Sequence, residues 1–117
     1  MRANILSYLP LTEPTFYILL SLAPGKKHGY AILKDVKALS GGKVSLSTST
    51  LYSALSRLLD QGLIERIPDD TDNNTGPGLP RKAYVLSGIG RRVLKAETNR
   101  MQALTAVARL RLDEEGM

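Results

Sequence analysis

Apolar positions fall into blocks bounded by Thr, Ser, Gly and Pro, and the period inside each block changes along the chain. The first block, Phe16-Tyr17-Ile18-Leu19-Leu20 with Leu22, is apolar nearly all round. Thr12 ahead of it can cap the orphan N–H groups of a helix, and Pro14 fits a first helical turn. The block stops at Pro24-Gly25, too soon for a bilayer span, so it reads as a helix buried in a core. Upstream, Ile5, Leu6, Tyr8 and Leu9 suit one extra helical turn packed on the body.

The next blocks carry narrower stripes. Ile32, Leu33, Val36 and Leu39 follow a 3.6-residue period and predict a second helix from about His28 to Ser40. Gly41-Gly42 ends it, because glycine accepts the left-handed backbone of a helix C-terminus. Lys43-Val44-Ser45-Leu46 is expected as a short extended piece. A third helix follows Ser47 or Thr48, either of which can cap it, with Leu51, Leu55, Leu58 and Leu59 as its core stripe. Gly62 stops that helix, and Leu63 is placed to fold back on the last turn.

The pattern then shifts toward strands. Leu63 to Ile67 and Arg81 to Leu86 flank the segment Pro68 to Pro80, dense in Asp, Asn, Thr, Gly and Pro, and together they predict a β-hairpin. After Ser87, a candidate cap, a last helix can run to about Leu112. Its apolar stripe is wider than one domain face requires, and a second copy of the same helix would cover it in a two-fold dimer. Ile89, Val93, Ala96, Met101, Leu104, Val107 and Ala108 are the expected dimerisation positions.

These elements make a mainly α chain with a small β-hairpin, an α+β fold of the winged helix-turn-helix kind. The expected division is a winged helix-turn-helix DNA-binding domain with an N-terminal helical extension over residues 1–86, and a C-terminal dimerisation helix over residues 87–117. The order expected is helix, helix, short strand, helix, strand, long turn, strand, helix.

Composition narrows the function. The 117 residues contain no cysteine and one histidine, His28, which excludes a disulfide framework, a thiolate metal site and thiol catalysis and leaves no histidine cluster. No nucleophile–base pair or phosphate loop supports an enzyme, and no cofactor is expected. No apolar run is long enough to span a membrane and no export signal opens the chain, so a soluble cytoplasmic domain is expected. Asp70-x-Asp72-x-Asn74 resembles the start of a calcium loop, but the glycine arrives one position late at Gly76, and Arg81 stands where the closing glutamate belongs. A polar turn is the better reading.

The formal net charge is +5, and a cationic surface attracts polyanions. The basic residues gather between Lys26 and Arg66 and again between Arg81 and Arg100, where Glu97 is the one acid. In a helix-turn-helix the third helix is the one shaped for the major groove. Its outward face would carry Ser49, Ser53, Ser56, Arg57 and Asp60. Short hydroxyls permit close approach to base edges and phosphates, and Arg57 can pair with a phosphate or with guanine. Further DNA-binding candidates are Lys43, Ser47 and Thr48 ahead of that face and Arg81 and Lys82 on the returning strand, opposite Arg66. The acidic tip with Asp69, Asp70 and Asp72 is expected to swing clear of phosphate or stay disordered. At the start of the second helix Lys26, Lys27 and His28 are candidate phosphate contacts. For His28 a capping or merely exposed side chain is an equal alternative. Tyr30 is expected half in the core with its hydroxyl free for a partner.

The residues also carry a resemblance. His28-Gly29-Tyr30-Ala31-Ile32-Leu33 resembles the HGYxI opening of the second helix in PadR-type transcriptional regulators. Leu46-Ser47-Thr48-Ser49-Thr50-Leu51-Tyr52-Ser53-Ala54-Leu55-Ser56-Arg57-Leu58 is similar to that family's recognition helix. Leu39-Ser40-Gly41-Gly42 resembles its turn, and Gly62-Leu63-Ile64 with Pro80-Arg81-Lys82-x-Tyr84-x-Leu86 its wing. The resemblance spans roughly Leu11 to Leu94. Ser49 stands where glycine is usual and Ser53 where proline is usual. The resemblance implies a dimeric winged-helix regulator of double-stranded DNA, usually a repressor on a pseudo-palindromic operator, often relieved by a small aromatic or drug-like effector. It adds Thr50 and Tyr52, with Arg57, as matched recognition-helix positions, and Arg81 and Lys82 as matched wing positions. The alternative is a winged-helix module that binds proteins and not DNA.

Overall fold

A computed structural model describes residues 4–68 and 82–114. A 3-10 turn, Ile5–Tyr8, precedes helix α1, Glu13–Ser21. Strand β1, Lys27–His28, leads directly into α2, Gly29–Leu39. Helix α3 spans Thr48–Asp60, strands β2 and β3 span Ile64–Pro68 and Lys82–Leu86, and α4 runs Gly88–Glu114. The architecture is α+β: four helices and one three-stranded antiparallel sheet in the order β1-β3-β2. Arg81, the Asp69, Asp70 and Asp72 tip and the Asp70-x-Asp72-x-Asn74 run lie outside the described residues.

Local chemistry sets the element ends. Thr12 accepts a hydrogen bond from the Thr15 amide at 3.3 Å, with Pro14 in the first turn of α1. Ser47 accepts from the Thr50 amide at 3.1 Å and starts α3. Helix α3 ends where the Gly62 amide donates to the Leu59 carbonyl at 3.1 Å and the Leu63 amide to the Leu58 carbonyl at 3.0 Å. Gly62 takes φ 76°, which a side chain would strain. This ending drives Leu63 into the core and aims the chain into β2.

The core lies between the helices and the sheet. Ile18, Leu19 and Leu22 of the α1 region meet Ile32 and Val36 of α2, Leu51, Leu55 and Leu58 of α3, and Val93 and Leu94 of α4, all buried. Burial of this many aliphatic side chains, at about 1.5–3 kcal/mol each, is the main force holding α3 against the body. Leu39 departs from its expected core place and stands 44% exposed, because α2 ends there and the core stripe stops at Val36.

The short strand differs from expectation. Residues 43–46 pair with no strand; the Ser40 hydroxyl instead accepts from the Val44 amide at 2.9 Å and donates to the Val44 carbonyl at 3.3 Å. With those groups satisfied locally, the free edge of β3 is taken by Lys27 and His28, opposite Tyr84 and Ala83.

The first half of α4 belongs to the same core as α1–α3. Val93, expected at a dimer contact, is 0% exposed within the single chain, and Ile89 leans on the same core. Glu97 is 1% exposed yet charged. Its carboxylate accepts from Arg100 at 2.6 and 3.0 Å and from the Leu11 amide at 2.9 Å, tying the N-terminal segment to α4. The Arg100 hydrogen bonds hold its pKa below the ordinary carboxylate value against the opposing effect of burial. A depressed native pKa stabilises the fold above the unfolded carboxylate range, and that stability is lost as pH falls through the native pKa. Glu97→Gln is therefore expected to cost about 1–2 kcal/mol at neutral pH, with the gap to wild type closing in acid. Urea unfolding across pH measures it, and a gap independent of pH would remove this role.

Candidate nucleic-acid interface

Helix α3 buries Leu51, Ala54, Leu55 and Leu58 and leaves Thr48, Ser49, Thr50, Tyr52, Ser53, Ser56, Arg57 and Asp60 exposed. The hydroxyl-rich side expected from the sequence thus faces outward. Ser47 is committed as a cap: its hydroxyl donates to Thr50 Oγ1 at 2.8 Å and lies 3.3 Å from Ser49 Oγ. Arg57 is exposed and leans toward α1, with Nη2 donating to Thr15 Oγ1 at 3.3 Å. Among the described residues no carboxylate pairs with it.

The start of α2 sits beside the start of α3. The Tyr52 hydroxyl stands over Gly29, where any Cβ would overlap it and lie 2.8 Å from Tyr52 Cζ. The glycine leaves room for the Tyr52 ring against the start of α2, and the sequence resemblance placed it in the motif without giving this reason. Tyr30, expected half in the core, is 64% exposed, with the Lys34 ammonium 5.6 Å from its ring centroid. Position 30 follows a helix cap and points away from Ile32, so the ring flanks α3 instead of entering the body.

The hairpin adds a second flank. Lys27, Tyr84 and Arg66 form one cross-strand row. Tyr84 is buried, and that burial, with Tyr52 nearby, pushes its hydroxyl pKa up, opposed by the charge and hydrogen bond of Arg66. Tyr52, Tyr84 and Arg66 are thus neighbours from α3 to the wing arm, a connection that spacing alone did not reveal. Lys82 and Arg66 are exposed on the two arms.

Not every candidate joins this surface. The Lys27 ammonium donates to the Ser21 carbonyl at 2.6 Å and lies 3.8 Å from Asp35 Oδ2, so it is engaged within the body. His28 occupies the N-cap position of α2, half-buried, and its side chain makes no capping hydrogen bond. Lys26 and Lys43 are exposed. On α4, Ala96 and Met101 are half-buried, while Leu104, Val107 and Ala108 stand free of the body.

Three helices, a β-hairpin whose arms flank an exposed third helix, and a C-terminal helix define the winged helix-turn-helix class. The sequence pattern of the PadR-like family of transcriptional regulators matches residues 18–96. The chain belongs to that family. Among solved structures, a PadR family transcription regulator from Clostridium difficile is 24% identical, with TM-score 0.68, covering 86% of this chain and 99% of that one. A transcriptional regulator from Clostridium thermocellum is 22% identical, with TM-score 0.64 and coverage of 93% and 96%. Bacillus subtilis PadR, solved in complex with operator DNA, is 29% identical with TM-score 0.62 over 74% of this chain. The match spans 47% of that longer protein. No curated protein matches the sequence. Among the described residues no helix is long and apolar enough to cross a membrane.

Proposed function

We propose that the chain is a homodimeric repressor that reads a pseudo-palindromic operator with α3 and grips its backbone with the hairpin arms, a small aromatic or drug-like effector releasing it. The observation that carries this reading is the α3 surface. It is rich in hydroxyls from Thr48 to Ser56, holds one guanidinium at Arg57, and has Tyr30 and the hairpin arm with Arg66 near its Tyr52. Such a face fits a groove about 12 Å wide that admits a helix. The Bacillus subtilis relative bound to operator DNA supports the partner.

Dimerisation rests on the second half of α4. Leu104, Val107 and Leu110 are exposed at helical spacing, Val107 by 67%. Leu104→Glu with Val107→Glu is expected to give a monomer in sedimentation equilibrium and to weaken operator binding at least tenfold, since each half-site then binds alone. A dimer surviving both changes would move the interface elsewhere.

The test of DNA reading is binding to the chain's own promoter DNA at several salt concentrations. Specific affinity should fall with log salt at a slope near −0.9 per phosphate neutralised. Binding that competitor DNA removes as easily as it removes any non-specific complex contradicts the proposal.

A further inference from the structure

Among the described residues α3 and α4 touch little directly, so the angle between them is set by what bridges them. There are two bridges. The first is at the base of the hairpin. Ser87, just ahead of α4, donates through its hydroxyl to the carbonyl of Gly62, just past α3, at 2.6 Å. The second is the segment 5–12. Its Tyr8 hydroxyl donates to the carbonyl of Gln61, the C-cap of α3, at 3.2 Å. Its Leu11 amide donates to Glu97 of α4 at 2.9 Å. Ile5, Tyr8, Leu9 and Leu11 pack on the core, so the segment is seated along its length.

One bridge leaves a hinge, and two separate ones fix an angle. The second acts where α4 leaves the body. Val93 and Leu94 are buried before Glu97, Met101 is half-buried after it, and Leu104 is exposed. The part of α4 beyond Arg100 runs on to Glu114, a length of about 21 Å. A tilt of about 10° at Glu97 moves the far end by about 4 Å, close to the ~3.4 Å between successive base pairs. The acid itself points the same way. An apolar side chain would be cheaper to bury at position 97 than a charge. The carboxylate is accounted for by what it holds, the Leu11 amide on one side and Arg100 of its own helix on the other.

We propose that the segment 5–12 is a stay between α3 and α4, with Tyr8 and Glu97 as the positioning residues that fix the angle between the two helices and thereby the half-site spacing a dimer accepts. The spacing part rests on the dimeric reading of operator DNA given above, while the angle belongs to the single chain. With either end of the stay cut, α4 pivots at the Ser87–Gly62 bridge. Each α3 keeps its own face, and only the distance and rotation between the two faces become variable.

The chain has no cysteine, so spin labels at Ser53→Cys and Lys95→Cys of one full-length chain, mixed with an excess of unlabelled protein, report the α3–α4 distance by double electron–electron resonance without DNA. A narrow distribution is expected with the stay intact, and one at least twice as wide in Tyr8→Ala and in Glu97→Met, which removes the acceptor and keeps the bulk. Tyr8→Phe, which removes only the hydroxyl, takes the place of Tyr8→Ala if that variant fails to fold. The same variants, unlabelled, are titrated with operator duplexes that have one base pair added or removed between the half-sites. Wild type should lose at least tenfold in affinity on either change and the variants less than threefold, with affinity for a duplex of one half-site unchanged. Distributions as narrow as wild type in every variant overturn the stay. A widened distribution with the wild-type spacing preference, or equal weakening on every duplex, overturns its link to spacing. Operator binding by wild type with no change of distance in the variants sinks this inference alone. A widened distance with no operator binding sinks the DNA reading and leaves the stay.

Discussion

Gly90→Ala lowers the unfolding free energy by about 2–3 kcal/mol, although alanine is ordinarily the better helix former. A Cβ at position 90 would overlap the Leu63 carbonyl oxygen, and would lie 2.9 Å from that carbonyl carbon and 3.3 Å from Leu63 Cα. These are backbone atoms and cannot turn aside. The same carbonyl accepts the Ser87 amide at 3.1 Å, and the Ser87 hydroxyl donates to the Gly62 carbonyl at 2.6 Å while accepting from the Gly90 amide at 2.9 Å. The base of the hairpin, the end of α3 and the start of α4 therefore meet at one point with no room for a methyl group. Gly88→Ala is the control, since a Cβ there meets nothing within 4 Å. It should be neutral or slightly stabilising. Urea unfolding of the two variants checks this, and equal stability would remove the close approach from the account.

Arg57→Ala with Lys82→Ala lowers operator affinity by about 30- to 1,000-fold, since each contact of this kind contributes about 1–2 kcal/mol and the two stand on separate elements. Both side chains are exposed, and among the described residues the one hydrogen bond Arg57 makes is long, at 3.3 Å. The melting temperature should move little. The single changes should separate by kind. Lys82→Ala should weaken all DNA sequences alike and reduce the salt slope. Arg57→Ala should also relax preference at the base it meets if it reads guanine. Fluorescence anisotropy with operator and scrambled duplexes measures both, and nanomolar operator binding by the double variant would contradict the assignment.

Much of the fold was legible because its signals are local. Thr12, Ser47 and Gly62 act through bonds to neighbours within five residues, so caps and stops could be read from residue type and spacing. The hydroxyl face of α3 was legible for the same reason, as the complement of a leucine stripe. What was missed depends on distant partners. Residues 43–46 read as an extended piece, but whether they pair depends on which segment reaches the edge of β3, and the Ser40 hydroxyl satisfies Val44 without a sheet. Lys27 reads as a surface cation, yet the Ser21 carbonyl and Asp35 lie where its ammonium reaches. Val93 and Leu104 belong to one apolar stripe, and only the end of the body near Met101 decides that the first is core and the second is not. Glu97 did leave a signal, an acid one helical turn from Val93 in a basic stretch, but its partner at Leu11 is far away in sequence.

The central claim is that α3 lies in the major groove with its residue 53 side toward the bases. The chain has no cysteine, so Ser53→Cys gives a single attachment point for a chelated-iron cleavage reagent. On operator DNA, cuts are predicted in two major-groove segments about one helical turn, ~34 Å, apart, with none when the reagent sits at Lys95→Cys on α4. Operator held by the protein but cut from position 95 and not from position 53 would contradict the account.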